Sequence, residues 1–474
     1  MEQKLDNIIN AAEQTAVISG TAAANATIAL SLGGSTRPVT ANGSGNWSYT
    51  LSPSDVAAMG QGAETLSATA FSASGNASAA VAHAITIDTV APGVPVIATV
   101  AVDNGINASE QTATINGTAE ANATVMLSLG GNTRTVTANG SGIWSYTLTG
   151  ADITAMGEGA ETLSASSVDA AGNTSSAGTR NISVDTVVPN APVIGTVAGD
   201  DFINASEQST ATISGTAEAN ATVTLSFTGT TRTFVANGSG NWSYALTVAD
   251  ITAMGQGAEG LSATATDAAG NVSSAGTGSI TMDTSAPVAP GLALATDSGA
   301  STGDGITNVD TVNVTGLESG ASWQYSTNGG TSFASGNGTI FTLAQGTYAA
   351  GAVLVRQIDV AGNTGPAATN ATAITVDTTS PGAPSINQVA GDGIVNASEQ
   401  TATINGTAEA NATVTLIFTG TTRTLVANSA GNWSYVLTSP DITAMGQGAE
   451  GLSATATDAA GNVSTAGTRN ISVD

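Results

Sequence analysis

The run "ITAMGQGAEGLSATATDAAGNVS" occupies Ile251–Ser273 and returns unchanged at Ile442–Ser464. Self-similarity at a fixed distance restricts a chain to architectures that use one structural unit repeatedly. Other words mark the same period: "NWSY" begins at Asn46, Asn241 and Asn432, and "IWSY" at Ile143. Asp88, Asp185, Asp283, Asp377 and Asp474 each close an alternating run, at spacings of 97, 98, 94 and 97 residues. The boundaries expected from these marks are 1–88 (first strand incomplete), 89–185, 186–283, 284–377 and 378–474. Each copy holds one Trp, and the fourth diverges, with "GLESGASWQYSTNGGTSF" replacing the usual middle. A β-solenoid would need a far shorter period.

Within a copy the apolar period is two. In the second, "TVMLSL" puts Val125, Leu127 and Leu129 on one face, and "WSYTL" does the same for Trp144, Tyr146 and Leu148. Turn signals such as "GGNT", "NGSG" and "AAGN" separate such runs. Seven strands are expected: "PVIATV", "TATINGT", "TVMLSLG", "TRTVTA", "IWSYTLT", "ETLSASSV" and "TRNISVD", with a helical turn at "ADITAMGEG". Seven strands in some 97 residues around one Trp suit a two-sheet β-sandwich.

Composition removes several function classes. A net charge of −27 over 474 residues argues against nucleic acid, which demands basic patches. No apolar stretch is long enough to span a membrane. The opening "MEQKLDNIINAAEQ" lacks the basic and apolar regions of a signal peptide, so export would use a signal outside this chain, or the chain is a piece of a larger one. Cys is absent, so stability rests on packing or bound ions rather than disulfides. The single Lys, Lys4, precludes a Lys–Asn cross-link in every copy.

The frame "DTVAPxxPVI…GTAEANATVTL…NGSGNWSYTL…LSATATDAAGN" resembles the bacterial immunoglobulin-like repeats of giant, type I-secreted surface adhesins, and it covers essentially the whole chain. The fourth copy resembles a second repeat type of the same proteins. The resemblance implies an all-β chain: five immunoglobulin-like seven-stranded sandwiches in an extended rod. It also implies an extracellular place on a bacterial cell surface and further repeats of a longer adhesin as neighbours. The glycine-rich calcium nonapeptides often found near the end of such adhesins are absent from the sequence, and no sugar- or ice-binding module is recognisable.

In an antiparallel sandwich of seven strands the termini lie at opposite poles. The loop between the first two strands then sits at the downstream pole, beside the end of the last strand. That loop carries Asp6, Asn10 and Glu13; Asp103, Asn107 and Glu110; Asp200, Asp201 and Glu207; and Asp392 and Glu399. The divergent copy supplies Asp297, Asp304 and Asp310 there. The "DAAGN" turn, "DVAGN" in the fourth copy, puts Asp169, Asp267, Asp359 and Asp458 at the upstream pole. With the strand-ending Asp88, Asp185, Asp283, Asp377 and Asp474, twenty-one of 35 acids fall at junctions. Carboxylates gathered this way repel one another unless a cation lies among them, and oxygen-only ligands suit calcium. For the junction of the second and third copies the expected set is Asp103, Asn107, Glu110, Asp185 and Asp267, with Asn271 in support; the adhesin resemblance implies calcium at such places too. The competing reading is that Asp and Asn simply build turns. The first copy has Ser72 where others have Asp. Glu64, Glu161, Glu259 and Glu450 are further candidate ligands, and Arg37, Arg134, Arg232 and Arg423 are candidate partners for these acids.

His83 has no second His or Cys to complete a metal or nucleophile site. Near-identical sandwiches offer no single asymmetric pocket for catalysis, so no enzyme is expected. Two functions remain: a calcium-stiffened monomeric spacer that projects an adhesive tip, or a module that itself binds a surface glycan or protein. The second points to the fourth copy, with Trp323, Tyr325, Phe333, Phe341 and Tyr348, although alternating aromatics more often fill a core.

Overall fold

A computed structural model describes residues 6–474. By contact density the chain divides into two compact units. One comprises Met1–Gly195, Ser214–Ser243 and Leu261–Gly278; the other comprises Thr196–Ile213, Tyr244–Gly260 and Ser279–Asp474. The third sequence copy contributes to both.

In the first unit, the second copy shows how the alternating runs become a sandwich. Val96–Ile97 pairs antiparallel with Thr114–Thr118, whose other edge pairs with Ile143–Thr147, giving a three-stranded sheet. The facing sheet runs in the order Asn132–Thr137, Thr124–Leu129, Gly159–Val168, Gly178–Val184, Gly105–Ile106. Val125, Leu127 and Leu129 are fully buried and meet Ile115 and Trp144 from the opposite sheet, as period-two alternation requires. Each such apolar side chain contributes on the order of 1.5–3 kcal/mol when removed from water.

The expected helical turn is a seven-residue helix, Gly150–Met156, with counterparts at Pro53–Met59, Val248–Met254 and Ser439–Met445. It starts where Thr149, in extended conformation, accepts from the backbone of Asp152, while Asp152 returns the bond to the Thr149 N–H. Ile153 and Met156 face inward and cap the core at that end.

One expectation needs correcting. The segment between the first two strands is not wholly a loop. Gly105–Ile106 forms a short strand parallel to the end of Gly178–Val184. Ile8–Ile9, Phe202–Ile203, Ile306–Thr307 and Ile394–Val395 do the same against their own last strands. In the second copy the chain thus begins on one sheet at Val96–Ile97, crosses to the other at Gly105–Ile106 and returns to the first at Thr114–Thr118. Two residues are too few to display an alternation, so no periodic signal announces them.

In the second unit, the fifth copy repeats the five-stranded order, from Thr421–Val426 through Thr413–Phe418, Gly448–Thr457 and Gly467–Val473 to Ile394–Val395. The divergent copy has sheets of three, three and four strands instead. Its Trp323 and Phe341 are buried, and Tyr325 stacks on Phe341 at 4.4 Å between ring centres.

Candidate junction sites

The loops after Ile8–Ile9, Gly105–Ile106 and Phe202–Ile203 meet the "DAAGN" turn, "DVAGN" in the fourth copy, of the following copy. In the first unit, Asn271 holds one such meeting together. Its Oδ1 accepts from the Ala108 N–H at 2.6 Å, and its Nδ2 donates to the Asp185 carbonyl at 2.9 Å and to Asp267 Oδ2 at 2.8 Å. Asn173 makes the equivalent bonds with Ala11, Asp88 and Asp169. In the second unit, Asn363 does so with Ala205, Asp283 and Asp359. Asn462 donates to the Asp377 carbonyl and Asp458 Oδ2.

A second bond runs the other way. Asn10 Nδ2 donates to the Ala171 carbonyl, and Asn204 Nδ2 to the Ala361 carbonyl, each at 2.9 Å. Before the fifth copy Ser298 Oγ takes this part, donating to the Ala460 carbonyl at 2.6 Å. The turn requires glycine. Gly172 has φ +91° and Gly270 φ +89°, and a Cβ there would stand 3.2 Å from Asn10 Nδ2 or 3.4 Å from Asn107 Nδ2.

The predicted ligands therefore fall into two groups. Asn10, Asn107, Asp88, Asp169, Asp185, Asp267, Asp283, Asp359, Asp377 and Asp458 come together at these meetings. Glu13, Glu110 and Glu207 lie beside them, each accepting from the backbone N–H three residues earlier, as at Asn107; Glu399 makes the same local bond in the last copy, away from these meetings. By contrast Asp6, Asp103, Asp200, Asp304 and Asp392 accept from the backbone two residues on and start the short parallel strands. Asp201 accepts from the Val197 N–H within its own turn, and Asp310 from the Thr311 hydroxyl. The four bridging asparagines are the residues that sequence reasoning underweighted. Their signal was the final letter of "DAAGN", read there mainly as a turn.

Among the described residues no three Asp, Glu, His or Cys side chains converge closely enough to hold a metal by themselves. A cation at a junction would take its remaining oxygens from Asn side chains and backbone carbonyls. One observation fits such a guest: Asp297 Oδ1 is buried with no hydrogen-bond partner, while Oδ2 accepts from Gly305 N–H at 3.1 Å. A buried carboxylate oxygen left alone is costly and is ordinarily satisfied by a donor or an ion.

A second cluster of charge lies away from the junctions. Arg134 Nε donates to Asp152 Oδ1 at 2.9 Å, and the Tyr146 hydroxyl donates to Asp152 Oδ2 at 2.8 Å. Arg37 with Tyr49 and Asp55, and Arg423 with Tyr435 and Asp441, repeat it. These arginines therefore pair with the helix aspartates, not with the strand-starting glutamates. The missed signal is the Ser/Thr-x-x-Asp spacing of a reciprocal helix cap. Burial works to raise the Asp55 carboxyl, but the Ser52 hydroxyl and N–H, Tyr49 and Arg37 outweigh it and hold it at about 2. At Asp441 burial is likewise overcome, by Thr438, Tyr435 and Arg423, and the carboxyl is again held at about 2. Because the Arg strand and the Tyr strand belong to different sheets, each network ties the sandwich together along one edge.

Paired immunoglobulin-like sheets in tandem, joined through acid-rich meetings, define the class. Residues 2–89 and 98–186 match the family described as the bacterial Ig-like domain. These two stretches are bacterial Ig-like domains. It is similar to a calcium-stabilised adhesin with which an Antarctic bacterium reaches out and binds ice, at 27% identity over 99% of this chain and 97% of that one, with a TM-score of 0.35. It is similar to a 1.5-MDa bacterial ice-binding adhesin at 28% identity over 59% and 95%, TM-score 0.31. A single immunoglobulin-like domain of the M. primoryensis ice-binding adhesin is 34% identical over 20% of this chain and all of that one, TM-score 0.17. No curated protein matches the chain.

Proposed function

We propose that this chain is an extender of a bacterial surface adhesin, exported by a type I route. In this reading 1–88, 89–185, 186–283, 284–377 and 378–474 are successive sandwich domains in single file, with calcium stiffening their junctions. The recurring Asn bridge carries the reading: an array whose only task is reach needs the same joint at every step. The relative described as calcium-stabilised is an adhesin, and both properties are brought to this chain here. Asp88, Asp169, Asp185, Asp267, Asp283, Asp359, Asp377 and Asp458, with the neighbouring glutamates, Asn10, Asn107 and Asp297, are the candidate calcium-holding groups. Calcium would supply positive charge between carboxylates of consecutive copies, which otherwise repel.

The alternative, a glycan- or protein-binding fourth copy, loses support because Trp323, Tyr325 and Phe341 are committed to its core. Phe333 lies under the Arg356 guanidinium at 3.8 Å. Nothing in the proposed role involves catalysis. Thermal unfolding with and without calcium tests the proposal. An ion that binds only the folded junction raises stability by mass action, so the melting temperature should rise in millimolar calcium and fall in chelator, with magnesium a weak substitute. Superimposable melting curves would remove calcium from the account.

A further inference from the structure

The second, third and fifth copies each begin with a short extended segment held at a sheet edge by few bonds. In the second, Val96 and Ile97 pair with Thr118 and Gly117, and the Ala98 N–H donates to the Asn116 carbonyl at 2.8 Å. In the third, Val193 and Ile194 pair with Thr216 and Gly215, and the Gly195 N–H donates to the Ser214 carbonyl, also at 2.8 Å. In the fifth, the Ser385 and Asn387 N–H groups donate to the Thr407 and Asn405 carbonyls at 2.8 Å. The backbone pairing is alike in all three.

The hold on the outer side differs. The third residue of the last strand is Arg180 in the second copy, Arg469 in the fifth and Gly278 in the third. Arg180 Nε and Nη2 donate to the Ile97 carbonyl at 3.0 and 2.8 Å, and Arg469 Nε donates to the Ile386 carbonyl at 2.6 Å. Gly278 has no side chain to donate. The divergent copy uses another brace: Gly291–Leu294 pairs with Val312–Thr315 over four residues, and Gln357 Nε2 donates to the Val288 carbonyl at 2.7 Å.

Packing follows the same order. Ile97 is 3% exposed and Ile386 6%. Ile194 is only half-buried, its Cγ2 lying 3.3 Å from where a Cβ on Gly278 would stand. The third copy also has Gly195 where the second has Ala98, and glycine gains more backbone freedom when a segment comes loose. Opening the second copy's segment breaks two bonds to a guanidinium and bares a buried isoleucine. Opening the third's breaks no such bond and exposes a side chain already half in water. Loosening stops at Val197, which is fully buried and whose N–H donates to Asp201 Oδ1 at 2.9 Å.

We infer that Val193–Gly195 is a releasable strap. It leaves Ser214–Thr216 while its sandwich stays folded, and it does so far more often than the segments held by Arg180 and Arg469. Tension entering through the residues before Val193 meets this strap first, so its release lengthens the chain before any sandwich unfolds. That use rests on the spacer reading; the release itself does not.

Hydrogen exchange on the full chain, read at single amides and corrected for intrinsic rates, compares Gly195 with Ala98 and Asn387. Gly195 should be at least about tenfold less protected, the loss expected when a bond to a charged group is missing. Arg180→Gly should lower protection at Ala98 by a similar factor and leave the Val125, Leu127 and Leu129 amides unchanged. Stretched as a single molecule, the full chain should give one short extension before the first sandwich unfolds, and Arg180→Gly should add a second. Equal protection at Gly195 and Ala98, no effect of Arg180→Gly at Ala98, or a loss of protection spread over the whole second copy would each overturn the strap. The expected exchange without the added extension would overturn its use under load alone.

Discussion

At the scale of single residues, the same side-chain type performs separate tasks according to its neighbours. Asp103 has a water-exposed carboxylate that starts a two-residue strand by accepting from Gly105 N–H. Asp441 is fully buried, and survives as a carboxylate only because Thr438, Tyr435 and Arg423 all donate to it. Removing those bonds with Asp441→Asn should destabilise the fifth copy by about 1–3 kcal/mol. The pH dependence follows from the sign of the shift. A carboxyl held at about 2, below its ordinary 3.8, contributes its full stability above the ordinary value. It loses that contribution as pH falls through about 2. The gap in melting temperature between wild type and Asp441→Asn should therefore be widest near neutrality and narrow between about pH 4 and 2. A gap constant across that range would mean the network does not set the carboxyl's affinity for protons.

Among elements, the junction turn is the informative one. The "DAAGN" turn folds because Asp267 Oδ1 accepts from the Ala269 and Asn271 N–H groups and Gly270 adopts positive φ. That geometry leaves the Asn271 amide pointing out of its own copy, free to reach Asp185 and Ala108. Asp185→Ala with Asp267→Ala should loosen this joint while each sandwich stays folded, because both carboxylates lie outside the core. Small-angle scattering should show a broader ensemble of shapes at an unchanged circular-dichroism signature. Were the double variant as extended as the wild type, these two residues would not share in stiffening the joint.

For the whole molecule, the proposed single-file rod makes a dimensional prediction. Strands of five to ten residues at about 3.3 Å each, with loops at both poles, make a sandwich of roughly 40 Å, so five in line would reach about 200 Å. A compact globule of this length would measure about 50 Å across. In calcium the maximum dimension from scattering should be near the larger figure, and chelation should leave the chain flexible without collapsing it. A value under about half the rod length in calcium would refute the spacer reading.

Much of this was legible in the residues. The period of 97, the alternation around Val125, Leu127 and Leu129, and the turn words between runs determine tandem β-sandwiches, since each records a local constraint the chain carries with it. The clustering of acids at the copy boundaries was likewise countable. Tertiary structure decided what each acid touches. It divided those acids into strand-starting and junction groups, gave the arginines to Asp55, Asp152 and Asp441, and made Asn271 a bridge, because these partners lie in other sheets or other copies. The short parallel strands were decided there too, since a two-residue pairing has no period to read and its partner lies at the far end of the same copy.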